Sequence, residues 1–367
     1  METVRGGYPL TPWRIGLVGL ARGPSLASQF AAYPDAVVAA LCDLDSDRLA
    51  TVGRAFDLDD THLFTDYADL LNAPIDVVVI ATPIMVHAEQ AIAALEAGKH
   101  VFSEVTAVHT LAEAARLVET VRRGDRVYMM GENCCYYHFI AQWRDLVDAG
   151  RLGRIVHAEA EYVHDIHDMV VDSRTGTTYW RAERPPIHYC SHSLGPLLHL
   201  LRDRIVKATG IHSGINAYPV VGPGVIDLEV GLFQTARGST IKVLRSSVLP
   251  REPALGWYAL YGTGGFVENG RGRERVGLLY LADEMTPDEG ARPIECPLSD
   301  PAAPPVALKG GHGTAEYYIV RDFLDALAGK QAPPIDVVRA MDYTVPGIIA
   351  HQAAQRGGVW LDVPYFG

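Results

Sequence analysis

The sequence predicts a two-domain α/β chain: a doubly wound parallel sheet first, then an α+β half on a mostly antiparallel open sheet. Three observations predict it. Short β-branched runs alternate with helical stretches through the first third of the chain. The pattern then changes to longer strand-like segments, with one strong helix among the early ones. Finally, 367 residues at 48% hydrophobic and 21% charged suffice for two cores, because a domain holds roughly 150 residues. The boundary is expected near Cys135, with residues 1–135 forming the doubly wound domain. Residues 136–367 then form a second domain for substrate binding and oligomerisation.

The apolar runs of the first half are 15–20, 36–42, 76–81, 100–102 and 127–130, separated by helical segments such as 86–97 and 111–123. Strand, helix, strand on this spacing implies parallel strands covered by helices on both faces. A helix at 140–149 ends at Gly150 and Gly153. Strands follow at 155–162, 225–233, 240–244, 257–261 and 277–281, with a hairpin turn at 262–265. One helix is expected at 193–202. Another lies at 315–328, where Tyr317, Val320, Phe323, Leu324 and Leu327 make an apolar stripe closed by Gly329. A last helix, 337–355, is expected to pack back on the first domain, and the Pro- and Asp-rich 283–305 reads as loop.

Charge and composition exclude several classes. Thirty-two basic against 44 acidic residues leave a net charge of −12, which repels a phosphate backbone, so no nucleic-acid partner is expected. No apolar run approaches the ~20 residues of a bilayer span. Residues 1–14 hold Pro9 and Pro12 without an apolar leader, so a cytoplasmic location is expected. Five cysteines without a Cys-x-x-Cys pair argue for reduced thiols over disulfides or structural zinc.

The first strand runs into Gly16, Gly19, Ala21, Arg22 and Gly23, then Pro24 and a helix. A dinucleotide fold puts its phosphate-binding turn there. Aligned on Gly19, the glycine fingerprint reads Gly19, Ala21, Pro24: the position of close approach to pyrophosphate gains a methyl, and the helix-packing position becomes proline. Asp43 closes the second strand, where a carboxylate accepts ribose hydroxyls and repels a 2′-phosphate, favouring NAD over NADP; a helix cap is the other reading. Further strand edges carry Thr82, Pro83 and His87, then Glu104 and Val105, then Glu132, Asn133 and Tyr136. These edges are expected to face the nicotinamide and the ligand beside it. For Thr82 and Pro83 an ordinary strand-to-helix turn fits equally.

With these motifs, and with 97–104 (Ala-Gly-Lys-His-Val-Phe-Ser-Glu) and 150–153 (Gly-Arg-Leu-Gly), the chain resembles the Gfo/Idh/MocA oxidoreductases over essentially its whole length. The resemblance implies a Rossmann domain, a second α/β sheet domain, bound NAD and a homo-oligomer, a dimer or tetramer. Family dehydrogenases carry Glu-Lys-Pro where this chain has Glu104, Val105 and Thr106, so their catalytic lysine is absent. Lys99 precedes the strand and belongs at its opposite end. Glu104-Val105, Glu132 with Asn133 and Tyr136, Tyr189-x-x-His192-x-Leu194-Gly195-Pro196 and the loop Gly310-Gly311-His312-Gly313 are similar to the NAD-dependent glycosidases of glycoside hydrolase family 109. That similarity implies retained NAD and glycoside cleavage without net redox change.

The residues themselves offer acid/base chemistry. Tyr189 and His192 sit one turn apart at the start of a helix, and imidazole beside phenol can exchange protons near neutral pH. The pair is expected to take the hydroxyl proton as hydride leaves a ring carbon for NAD; two hydrogen-bonded core groups are the alternative. Glu161, His164, Asp165, His167 and Asp168 suggest a metal. A strand continued through them would instead split them between two faces, leaving His164 and Asp165 to bind substrate hydroxyls and any metal undecided. Trp180 and Arg181 form a sugar-stacking wall or core packing, and His312 closes over the site or sits on a surface loop. The expected function is NAD-dependent oxidation at a sugar, glycoside or cyclitol ring, with redox-neutral glycoside cleavage preferred because Val105 removes the relay lysine. A simple sugar or inositol dehydrogenase and a non-catalytic sensor are the rivals.

Overall fold

A computed structural model describes residues 11–172, 174–217, 225–253 and 255–367; the leader reading of the first ten residues lies outside them. The chain divides into two compact units. The first holds the described residues up to Tyr136 together with Ser299–Met341 and Phe366–Gly367; the second holds Tyr137–Leu298 and Asp342–Tyr365. The two continuous blocks expected from the sequence are therefore corrected, because 299–341 belongs with the first unit. The final helix, expected to return to the first domain, lies mostly in the second.

In the first unit, strands β1 (Trp13–Val18), β2 (Ala36–Cys42), β3 (Leu63–Phe64), β4 (Val77–Ile80), β5 (His100–Ser103) and β6 (Tyr128–Met130) form one sheet in the order β3-β2-β1-β4-β5-β6. Every pairing is parallel. All four residues of β4 are fully buried, which is why its sequence is a continuous apolar run and does not alternate. Helices α1 (Gly23–Phe30), α2 (Ser46–Ala55), α3 (Tyr67–Asn72), α4 (His87–Glu96) and α5 (Leu111–Arg123) supply the crossovers. Their starts are chemically marked. Asp45 and Asp66 accept the N–H groups of Arg48 and Ala68, and Thr110 with Glu113 makes a reciprocal capping box.

The turn between β1 and α1 explains the imperfect fingerprint. Gly19 has φ +89°, and a Cβ there would lie 2.6 Å from the backbone carbonyl of Ala81, so only glycine fits. A Cβ on Gly23 would lie 2.7 Å from the Leu17 side chain, so Gly23 gives the close helix-to-strand packing that the alignment assigned to the next position. Pro24 then falls in the first turn of α1, where no N–H is missed.

The second unit starts with α6 (His138–Asp148) and is built on a nine-stranded sheet. Its strands are β7 (Ile155–Val163), β8 (Ile205–His212), β9 (Glu229–Thr235), β10 (Thr240–Ser246), β11 (Leu255–Gly262), β12 (Gly265–Glu268), β13 (Val276–Leu281), β14 (Arg292–Glu295) and β15 (Leu361–Asp362). The order is β14-β13-β12-β11-β7-β10-β9-β8-β15; β7 and β10 run parallel and the other pairs antiparallel. Helix α7 (Ser191–Leu201) packs on β7 and β11, with every residue from Ser191 to Leu198 buried. The last helices are α8 (Ala315–Leu327), in the first unit, and α9 (Val337–Gln355).

Three expectations change here. The strand expected at 225–233 begins only at Glu229, because the Asp227 carboxylate accepts the N–H groups of Asn216 and Ala217 and folds its segment into a turn. The segment read as loop at 283–305 contains β14, paired with β13. β7 stops at Val163, and His167–Met169 is a short helical turn, so the two-face alternation expected through 161–168 does not occur.

Gly19→Ala tests the turn. It forces a methyl against backbone at positive φ, and we expect a loss of about 2–3 kcal/mol in urea unfolding. A variant as stable as the parent would show that the turn relaxes freely.

Candidate active site

In the first unit, the strand edges converge on one buried carboxylate. Arg22 sits at the N-cap of α1, and no side chain caps that helix start, which leaves early N–H groups available to an anion. Its guanidinium donates to Glu104 Oε1 at 3.0 Å, to the Gly310 carbonyl at 2.8 Å and to Glu316 Oε1 at 2.5 Å. Glu316, on α8 and 1% exposed, also receives the Asn133 amide at 3.1 Å and meets His312 Nδ1 at 2.5 Å. Burial alone would push the Glu316 carboxyl up. The His312 hydrogen bond and the charges of His312 and Arg22 outweigh it and hold the group below the usual carboxylate range. Glu316 was missed in the sequence. Its only signal is the spacing of His312 and Glu316, one turn apart where the glycine loop enters a helix.

The other expected residues of this unit have separate duties. Asp43 accepts the Leu20 N–H at 2.6 Å and the Asp45 N–H at 2.9 Å, tying the glycine turn to the end of β2, and Arg48 stands 3.3 Å away. Thr82 donates its hydroxyl to Gln90. His87, expected to touch cofactor, is 1% exposed, with its ring nitrogens facing the carbonyls of Thr106 and Thr82 at 2.9 and 2.8 Å. It is a strut between two strand edges, and burial pushes its imidazole towards the neutral form. Val105 is buried, as is Glu132, which accepts the Cys134 N–H. Tyr136, expected at the ligand, donates to Asp322 of α8 at 2.7 Å. His312 belongs to the Glu316 cluster, not to a free surface loop.

In the second unit, the structure brings Tyr189 and His192 together. Tyr189 ends a short turn of helix, Pro186–Tyr189, and His192 lies in the first turn of α7. Their rings meet edge to face with centroids 4.8 Å apart. His192 stacks on Tyr162 of β7 at 5.7 Å, and Tyr258 of β11 donates its hydroxyl to the His192 carbonyl at 2.5 Å. Tyr162 in turn contacts His164 Nδ1 at 3.3 Å.

Two arginines that sequence reading passed over complete this cluster. The parallel register sets Arg245 of β10 opposite Tyr162 of β7, with its guanidinium 4.1 Å from the Tyr162 ring and 5.1 Å from that of Tyr189. Arg184 lies 4.3 Å from the Tyr189 ring. Burial, then repulsion from Arg245, pushes Arg184 down to about 9, and burial also lowers Arg245. Trp180 carries the Arg181 guanidinium 4.3 Å from its ring centroid, so the expected sugar wall is a tryptophan–arginine stack. Asp165, expected to bind substrate, meets His167 Nδ1 at 2.9 Å, and Asp168 meets Nε2 at 2.9 Å. Glu161 pairs with Arg271 on the other face of β7.

Residues 13–132 match the family described as "Oxidoreductase family, NAD-binding Rossmann fold" (GFO_IDH_MocA). A "Glycosyl hydrolase family 109 protein" of Solibacter usitatus is 28% identical over 96% of this chain and 88% of its own. A solved levoglucosan dehydrogenase, in complex with NADH and L-sorbose, superposes with TM-score 0.83 at 21% identity over 97% and 100% of the two chains. A myo-inositol 2-dehydrogenase of Lactobacillus plantarum does so with TM-score 0.76 at 19% identity over 96% and 100%. The parallel sheet, the glycine turn, the Asp43 carboxylate beside it and the uncapped start of α1 fit a dinucleotide.

Glu316→Gln tests the buried cluster. Because the carboxyl is depressed in the folded state, its contribution is present above the ordinary glutamate range near ~4.3 and lost as pH falls through the folded value. We expect the variant to lose about 2 kcal/mol at pH 7 in urea unfolding, with the gap closing at acid pH; a pH-independent gap would refute the ionised pairing. Residues 13–132 thus resemble the NAD-binding Rossmann domain of the Gfo/Idh/MocA oxidoreductases.

Proposed function

We propose that this protein oxidises a carbon of a sugar, glycoside or cyclitol ring with NAD, with Tyr189 and His192 handling the protons. The observation that carries the reading is their edge-to-face pairing, 4.8 Å between rings, anchored through Tyr258 and Tyr162. NAD, when bound, accepts a hydride and can return it; the Gly19–Gly23 turn and Asp43 are the residues that would hold it. One member of the Tyr189–His192 pair takes the proton of a ring hydroxyl as that carbon becomes a ketone. In the redox-neutral course, the ketone acidifies the neighbouring C–H and a base of the pair removes that proton. The aglycone then departs with its bonding electrons, water adds to the resulting double bond, and the ketone is reduced again. Val105, buried at the family's lysine position, leaves proton transfer to these two side chains and supports this course. The plain dehydrogenase is the second reading, supported by the likeness to the levoglucosan and inositol dehydrogenases.

Exposed Val156, Ile211, Leu232, Val276 and Leu278 on the strands of the second unit support a homo-oligomer, a dimer or tetramer, and a cytoplasmic setting remains part of the same reading. A well-placed acid/base group contributes about 10²–10⁴ in rate. His192→Ala is accordingly expected to lower kcat by that factor with folding intact, and a loss under about fivefold would reject the assignment. Aglycone release without growth of NADH absorbance marks the redox-neutral course; steady NADH growth marks the dehydrogenase.

A further inference from the structure

The second unit buries two cations without a counter-charge. Arg184 is 3% exposed and Arg245 1%. Among the described residues neither guanidinium pairs with a carboxylate; their polar contacts are Ser247 Oγ at 3.3 Å from Arg184 and the Pro186 carbonyl at 3.5 Å from Arg245. Arg184 Nε and Arg245 Nη1 are buried with no hydrogen-bond acceptor. The buried acids of this unit are engaged elsewhere. Glu229 accepts the Ile187 N–H at 2.9 Å and pairs with His351 at 2.7 Å. Asp227 holds Asn216 and Ala217, Asp203 accepts the Arg204 and Arg237 N–H groups, and the half-buried Glu161 faces Arg271 and Lys242. A buried charge is costly unless it is paired, and an arginine is not relieved by deprotonation at neutral pH. Both guanidiniums also flank Tyr189, at 4.3 and 5.1 Å from its ring.

We infer that Arg184 and Arg245 form an oxyanion-binding subsite beside Tyr189, and that the ligand of this site is an acidic sugar or cyclitol bearing a carboxylate, phosphate or sulfate. The guanidinium fork matches these groups, and their hydrogen bonds to a charged acceptor are among the stronger ones available. The inference takes the sugar class from the proposed function and adds the charge. Two unpaired cations destabilise the ligand-free protein, and the ligand's anion compensates them.

The test uses the whole chain, without NAD and without turnover. Thermal unfolding and calorimetry compare sodium sulfate, D-glucuronate, D-galacturonate, glucose 6-phosphate and glucose 6-sulfate with glucose and galactose at fixed ionic strength. At least one oxyanion is expected to raise Tm and to bind at least about tenfold more tightly than the neutral sugars; which one binds distinguishes carboxylate from phosphate or sulfate. Arg184→Met and Arg245→Met are each expected to abolish that advantage and to raise the Tm of the ligand-free protein. Equal binding of charged and neutral ligands by the parent overturns the inference, and this arm stands even if a variant fails to fold. A lower ligand-free Tm in both variants also overturns it, because it shows the cations to be satisfied within the protein. Failure of hydride transfer leaves this binding result untouched, and failure of oxyanion binding leaves the Tyr189–His192 chemistry to be tested on neutral sugars.

Discussion

A charge taken out of water must find an opposite charge, and the two units treat this requirement in contrasting ways. In the first, Arg22 is held between Glu104 and Glu316, and Asn133 and His312 also reach Glu316 Oε1, while its buried Oε2 has no hydrogen-bond partner among the described residues. One cation against two carboxylates keeps the glycine turn, the end of β5 and the start of α8 in a fixed arrangement. In the second, Arg184 and Arg245 are surrounded by the faces of Tyr162, Tyr189 and Trp180. Aromatic faces attract cations by roughly 0.5–2 kcal/mol, which is too little to offset the several kcal/mol lost when each ion leaves water. The first cluster pairs its charges within the unit; the second leaves two cations without a counter-charge among the described residues, which is the basis of the inferred ligand.

What the sequence shows and what it hides follow from the range of the interactions. The strands and helices of the first unit were legible because apolar period is a local property: the run at β4 and the stripe of α8 announce themselves within a few residues. Tyr189 and His192 were legible because one helical turn places them together whatever the rest of the chain does. Glu316 was not, because its partner Arg22 stands 294 positions away, and a buried glutamate looks like a surface one until that partner is known. Arg245 was hidden for a related reason. Its place against Tyr162 depends on a parallel register between β7 and β10, in a sheet whose pattern predicts mostly antiparallel pairing. His167 misled in the opposite direction: a strand period was extended through residues that turn back on themselves, so Asp165 and Asp168 both reach the same ring.

The glycine turn shows how a fingerprint can shift its duties by one position. A motif read letter by letter scores Pro24 as a defect. In three dimensions the close packing rests on Gly23, and proline stands in the first helical turn, where it does no harm. The structural need, a small residue where α1 crosses β1 and a positive φ where the chain leaves the strand, is met in full.

The loss of lysine at Val105 is best understood together with the arginine pair. A lysine shares its charge with a transferable proton and can serve in acid/base chemistry; an arginine, even one lowered as Arg184 is, keeps its proton at neutral pH. Replacing the relay lysine by valine, while placing two arginines around Tyr189, separates the two tasks that lysine combines. In the proposed function, fixed positive charge stays with Arg184 and Arg245, and proton exchange falls to the phenol of Tyr189 and the imidazole of His192. On that proposal, electrostatic attraction selects and orients a ligand without drifting near neutral pH, because the arginines that would bind stay charged there while the imidazole exchanges its proton.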